Sequence, residues 1–223
     1  MKIAEIFYSI QGEGTLTGVP SVFVRTSGCN LRCVWCDTPY TSWTPEGEQQ
    51  SIDQIVDQVR SHRTARHVVV TGGEPMIAPE IVTLTKRLRE LGSHITIETA
   101  GTVFVPVECD LMSISPKLAN STPEGVFANQ HERLRTNTDV LKQLIQYPHQ
   151  LKFVVSSPAD LEEVEQLLQS IGADRANVLL MPEGRTEQAL HERSLWLAEV
   201  CKETGYRFCQ RLHVNLWGDR RGV

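Results

Sequence analysis

Three cysteines, Cys29, Cys33 and Cys36, fall within eight residues in a C-x3-C-x2-C spacing. Thiolates this close in sequence can converge on one metal centre. Four ligands would close a structural zinc site or an iron–sulfur cluster, whereas three leave a position open to a substrate. An open metal position is where chemistry takes place. Spacing alone also allows a zinc knuckle completed by His131 or His213, or a redox dithiol of Cys33 and Cys36. The dithiol leaves Cys29 without a role.

Four further groups have types suited to binding. Gly72-Gly73-Glu74-Pro75 offers backbone that a charged small molecule can approach closely, or simply a tight turn before a helix. Gln11-Gly12-Glu13-Gly14 places a carboxylate between glycines, suited to a polar loop over a pocket or to a hairpin turn. Arg25 lies in an apolar run, Val22-Phe23-Val24, and a buried guanidinium needs a partner. A substrate carboxylate held in bidentate fashion would serve, and so would Glu13 or Glu98. Asp37-Thr38 offers hard oxygens of the kind Mg2+ takes, or a plain turn.

The elements that must position these groups alternate. Short β-branched runs at 21–25, 67–70, 94–98, 111–115, 151–155, 177–181 and 206–212 predict buried parallel strands. Amphipathic stretches at 51–60, 79–91, 137–145, 160–171 and 186–204 predict helices. Ser51 with Gln54 makes a capping box, and Gly92 and Gly172 are stops. Residues 41–50 and 120–136 are expected to be loops. Strand–helix alternation means right-handed crossovers and a parallel sheet. A closed eight-stranded barrel takes about 250 residues. The 223 residues here predict instead an α/β fold, an incomplete, open barrel of about six β/α units in one domain. In such sheets ligands bind at the carboxyl ends of the strands, where the cysteines, the double glycine, Glu98-Thr99 and Ser115-Pro116-Lys117 all fall.

Composition narrows the class. The chain is 40% hydrophobic and 22% charged, with net charge −5. Lysines and arginines form no block, so no nucleic-acid footprint is expected. No apolar run of about 18 residues predicts a membrane span, and no signal peptide precedes the first strand. Six cysteines with three clustered suit a reducing cytoplasm. Cys109, Cys201 and Cys209 read as small buried apolar residues.

The cysteine spacing, with Trp35 before the third cysteine and Gly-Gly-Glu-Pro a strand later, resembles the radical S-adenosylmethionine superfamily. Gln11-Gly12-Glu13-Gly14, Phe23-Val24-Arg25, Trp35-Cys36-Asp37-Thr38, Thr71 through Pro75, Ile97-Glu98-Thr99, Ser115-Pro116-Lys117 and the end from Leu212-His213 to Val223 further resemble the 7-carboxy-7-deazaguanine synthases, over essentially the whole length. The resemblance implies a 4Fe–4S cluster on Cys29, Cys33 and Cys36, with S-adenosylmethionine on its fourth iron. It implies that Trp35, Cys36 and Asp37 lie along the adenine side and that Gly72, Gly73 and Glu74 meet the methionyl end. Ser115, Pro116 and Lys117 would contact the rest of that cofactor, and Thr38 would bind Mg2+. Ile10, Gln11, Gly12, Glu13, Arg25, Thr71, His213 and Val223 would line the substrate pocket. The implied reaction runs through a 5′-deoxyadenosyl radical and turns 6-carboxy-5,6,7,8-tetrahydropterin into 7-carboxy-7-deazaguanine with loss of ammonia, in queuosine and deazapurine biosynthesis. A flavodoxin or ferredoxin donor and a homodimer are implied with it. A glycyl-radical-enzyme activase shares the cysteine spacing but would need no pterin pocket. A zinc-binding module would hold zinc and no iron.

Overall fold

The structure is a computed structural model that describes residues 1–223. In chain order the elements are β1 (Lys2–Ile10), β2 (Pro20–Thr26), α1 (Pro39–Ser42), β3 (Glu48–Gln49), α2 (Ile52–Ser61), β4 (His67–Gly72), α3 (Ile81–Glu90), β5 (His94–Thr99) and β6 (Leu111–Ile114). They continue with α4 (Ala128–Arg135), α5 (Thr138–Leu144), β7 (His149–Val155), α6 (Asp160–Ile171), β8 (Val178–Pro182), α7 (Glu187–Thr204), β9 (Arg207–Phe208) and α8 (Leu212–Trp217). One nine-stranded sheet runs in the order β3-β1-β2-β4-β5-β6-β7-β8-β9. From β2 to β9 every pairing is parallel, and the two edges do not meet. The expected open barrel is therefore present, with a short seventh parallel strand added at one edge.

The alternation of side chains along the strands divides core from lumen. Val22, Val24, Val68, Val70, Ile95, Ile97, Met112, Ile114, Leu151, Phe153 and Leu180 join one buried apolar cluster with α2, α3, α5 and α6. Their neighbours one residue along, Phe23, Arg25, Thr71, Glu98, Ser113, Lys152, Val154 and Met181, line a cavity on the other face. The charged residues of the parallel strands from β2 to β8, Arg25, Glu98 and Lys152, all stand on that lumen side.

The local signals for helices hold where capping chemistry is strong. Ser51 and Gln54 make the full reciprocal capping box of α2. Asn137 and Thr186 cap α5 and α7 through their side chains, and Gly172 and Gly205 end α6 and α7 in the left-handed region. The helix expected from residue 79 begins later, because Glu80 adopts φ +66° and holds Ile81 as the first helical residue.

Several expectations are corrected. Lys2–Ile10 is a long antiparallel strand, missed because it is only partly covered, with Ile3 its one buried residue, and its run is not continuously apolar. Residues 41–50 contain the end of α1 and all of β3, and 120–136 contain α4. The strand expected at 206–212 stops at Phe208, and the chain leaves the sheet to carry Arg211 into the cavity. No helix joins β5 to β6; Val103, Phe104, Val105 and Val107 pack that extended link onto the core instead.

Candidate functional site

The loop after β2 carries the cysteines, and its path is fixed by backbone contacts. Gly28 N donates to Thr41 O at 2.9 Å, and Glu74 N donates to Gly28 O at 2.9 Å. A Cβ on Gly73 would stand 2.3 Å from Gly28 O and 2.7 Å from Thr41 O, so only glycine lets the two loops meet. The double glycine is thus a packing requirement of the cysteine loop as well as a stretch of cavity wall. His131 is buried beneath the same loop. Its Nδ1 accepts from Arg32 N at 3.1 Å, and its Nε2 lies 2.9 Å from Ser121 Oγ. With both ring nitrogens engaged, His131 is an anchor and not a fourth metal ligand.

Cys29, Cys33 and Cys36 all line the cavity, which has a volume of about 440 Å3. Leu31 N donates to Cys29 Sγ at 3.4 Å, and Ser42 Oγ lies 3.2 Å from Cys36 Sγ. Burial pushes the thiols up, Cys29 to about 12 and Cys33 to about 11. Such thiols stay protonated until metal binding displaces the proton. No three histidine, cysteine or carboxylate side chains converge as a single-ion site. All three thiols face one cavity, as ligands of a single cluster with an open iron would.

Beside the cysteines, Trp35 Nε1 donates to Asn120 O at 3.0 Å. Lys117 Nζ lies 5.6 Å from the centre of the Trp35 ring and donates to Ser115 Oγ at 2.8 Å. Trp35, Asp37, Thr38, Gly72, Gly73, Ser115 and Lys117 all reach the cavity surface. Two expected members do not: Pro116 and Glu74 lie off it. The Glu74 carboxylate is fully buried and accepts from Met76 N at 3.0 Å, Thr99 Oγ1 at 2.8 Å and Ala100 N at 2.8 Å. Burial raises its pKa. Its side chain ties the glycine loop to the end of β5.

Another part of the wall is a chain of paired charges. Lys152, only 3% exposed, donates to Glu13 Oε2 at 2.9 Å and to Glu98 Oε1 at 3.3 Å. Gln11 Nε2 and Thr71 Oγ1 donate to the same Glu98 at 3.1 and 3.3 Å. Arg211 Nε donates to Glu13 at 3.0 Å, and its Nη2 reaches Asp37. Burial alone would raise the Glu13 and Asp37 carboxyls. Lys152 and Arg211 outweigh it at Glu13, and Arg211 at Asp37, so both stay below the ordinary carboxylate value. Burial would lower Lys152, but Glu13 and Glu98 raise it instead. A cation between two carboxylates deep in an open barrel is a fixed field for a polar ring.

Ile10, Gln11, Gly12, Glu13, Arg25, Thr71, His213 and Val223 all line this part of the cavity. His213 packs on Gly12 so closely that a Cβ there would fall 2.1 Å from its Nδ1. Burial lowers the His213 pKa, favouring the neutral ring. Arg25 pairs through Nε with Glu5 Oε1 at 2.7 Å, and not with Glu13 or Glu98. Its two terminal nitrogens have no protein partner. Sequence reasoning missed Lys152 and Arg211 as site members, and it set Glu98 at the ligand end of its strand without giving it a role. The signal was present at Lys152 and Glu98, each a lone charge at a lumen position of an apolar strand. Arg211 gave none, because the strand expected at 206–212 concealed the turn that delivers it.

Comparison with known proteins agrees with this arrangement. A model of the radical SAM superfamily matches residues 23–138, a little over half of the chain. The chain is 46% identical to a 7-carboxy-7-deazaguanine synthase of Rhodopirellula baltica, over 100% of this chain and 89% of that protein. It is 47% identical to the enzyme of the same name from Halobacterium salinarum, over 98% and 91%. The solved structure of QueE from Escherichia coli superposes with a TM-score of 0.71 at 28% identity, covering 95% of this chain and 94% of that one. Neither the activase nor the zinc-module alternative gains support from these relatives. The chain belongs to the 7-carboxy-7-deazaguanine synthase family of the radical SAM superfamily.

Proposed function

We propose that this chain, acting as one domain, converts 6-carboxy-5,6,7,8-tetrahydropterin to 7-carboxy-7-deazaguanine and ammonia. This is a carbon–nitrogen lyase step on the way to queuosine and related deazapurines. The observation that carries the reading is one cavity with two different linings: three thiols and a chain of paired charges.

Cys29, Cys33 and Cys36 would hold a 4Fe–4S cluster. With S-adenosylmethionine bound, it supplies a carbon radical able to take hydrogen from carbon. The protein's part is to bind, orient and exclude water. Trp35, its ring beside Lys117, offers an aromatic face to the adenine, and the Gly72-Gly73 backbone offers polar groups to the methionyl end. Ser115, joined to Lys117 by a hydrogen bond, contributes the next part of that wall. Arg25, with two nitrogens unpaired inside the protein, takes the pterin carboxylate as a charge-assisted partner. Gln11, Glu98 and Thr71, already linked to one another, present donors and acceptors to the ring edge. Gly12 and His213 close one side, and Val223 closes another. Thr38 would bind Mg2+, which keeps most of its waters and needs few protein ligands. Mg2+ there would hold substrate oxygens in a geometry favouring ring contraction.

A flavodoxin or ferredoxin as donor, a homodimer and a cytoplasmic setting complete the proposal. The last agrees with the finding that no helix is long and apolar enough to cross a membrane. Replacing any one of the three cysteines by alanine tests the cluster assignment. Each variant should lose iron and all cleavage of S-adenosylmethionine to 5′-deoxyadenosine after anaerobic reconstitution; retained cleavage would refute it.

A further inference from the structure

Glu5 stands behind the cavity wall and holds three of the residues that form it. It lies on β1 directly opposite Arg25 of β2, and the register of the two strands slips between Ile3 and Glu5. Such a bulge leaves a residue, here Ala4, out of the ladder and re-aims the side chain beside it. Glu5 Oε1 accepts from Arg25 Nε at 2.7 Å and from the Tyr40 hydroxyl at 2.7 Å. Glu5 Oε2 accepts from Arg221 Nε at 3.2 Å. The carbonyl of Ala4 is taken by the same guanidinium, through Nη2 at 3.2 Å. Arg221 also reaches Glu46 at 3.0 Å and lies 4.0 Å over the Tyr40 ring.

Arg25, Tyr40 and Arg221 line the cavity, and Glu5 does not. Arg221 belongs to the last six residues, 218–223, which leave α8 at Gly218 with φ +68° and run along the cavity to Val223. One carboxylate therefore serves an arginine of the barrel and an arginine of the tail.

We propose that Glu5 and the bulged Ala4 carbonyl form a seat that docks the C-terminal tail over the cavity through Arg221, while the same carboxylate orients Arg25. Binding of a carboxylate ligand at Arg25 and closure of the tail are then coupled. Glu5 is a positioning residue, since it touches neither ligand nor cofactor. The coupling rests on the reading of Arg25 as the carboxylate binder; the seat does not.

The test uses cluster-loaded protein without reductant, so that ligand binds and no turnover occurs. Trimming of the C-terminus by a carboxypeptidase is followed by mass spectrometry, with and without 6-carboxytetrahydropterin, and the ligand Kd is measured by calorimetry. With ligand at about ten times its Kd, the wild-type tail should be trimmed about tenfold more slowly. Arg221→Gln should be trimmed faster than wild type without ligand, gain little protection from ligand, and bind it more weakly. Arg221→Lys, which keeps the charge and loses the fork, should fall between them. Glu5→Gln should show the largest loss of affinity, because both arginines lose their partner; if it does not fold, the two Arg221 variants carry the test. Wild-type trimming and Kd in Arg221→Gln would overturn the proposal. If wild type binds no pterin yet Arg221→Gln is trimmed faster, the pterin reading and the coupling fail while the seat stands.

Discussion

Replacing Lys152 by methionine keeps the length and the apolar stem and removes only the charge. Nζ now sits 2.9 Å from Glu13 and 3.3 Å from Glu98, in a side chain that is 3% exposed. After the change Glu13 keeps Arg211, but Glu98 keeps only the neutral donors Gln11 and Thr71. Stripping one partner from a buried ion pair costs about 3–5 kcal/mol, because a charge is left in low dielectric without compensation. For a domain of this size each kcal/mol moves the melting temperature by about 2–4 °C, so a fall of about 6–20 °C is expected.

The pH dependence has a definite sign. The Glu13 carboxyl is depressed, so its contribution is present above the unfolded carboxyl value and is lost as pH falls through the folded one. Lys152 is raised, so its contribution is present below the unfolded ammonium value and is lost as pH rises through the folded one. Between about pH 5 and 10 wild type has both contributions. The gap to Lys152→Met should be widest there and narrow in acid, where buried carboxylates take up protons. Thermal melts followed by circular dichroism across that range decide the matter. A variant melting within about 2 °C of wild type at neutral pH would refute the reasoning.

Other perturbations probe separate parts of the cavity. Arg25→Ala should raise KM for the pterin by about ten- to hundredfold, the worth of a charge-assisted hydrogen bond, with a smaller change in kcat; an unaltered KM would return Arg25 to a structural role beside Glu5. Thr38→Ala should weaken the response of turnover to Mg2+ while the cluster's absorbance stays intact, and an unchanged Mg2+ titration would count against a metal role. Gly73→Ala pushes a Cβ to 2.3 Å from Gly28 O, so the cysteine loop must move. A loss of about 1–3 kcal/mol and of cluster content on reconstitution is expected; wild-type melting and iron content would contradict the packing argument.

The parallel strands from β2 to β8 were legible because each is a short, largely apolar run with most residues buried, whereas the exposed two-residue β9 was over-extended to Leu212. The helices were legible where Ser51, Asn137, Thr186 and Gly172 punctuate them. The antiparallel β1 was not, because it is only partly covered and Lys2, Glu5 and Ser9 break the apolar run. The cysteine loop and the glycine loop were legible as chemistry, but their mutual packing was not, since it depends on a contact between Gly73 and Gly28 that no local pattern encodes. The charge chain was half legible. Lys152 and Glu98 stand out once strand parity is applied, whereas Arg211 is brought to Glu13 across 198 residues of sequence. Arg25 was read correctly as needing an acid, and the acid proved to be Glu5 on a strand that sequence reasoning had not recognised.

The central claim is tested most directly by one anaerobic assay. Reconstituted protein, dithionite, S-adenosylmethionine and Mg2+ are incubated with 6-carboxytetrahydropterin, and the products are read by mass spectrometry. A 7-carboxy-7-deazaguanine signal accompanied by 5′-deoxyadenosine is the predicted result. 5′-Deoxyadenosine without the deazapurine would keep the radical enzyme and contradict the substrate assigned to its cavity.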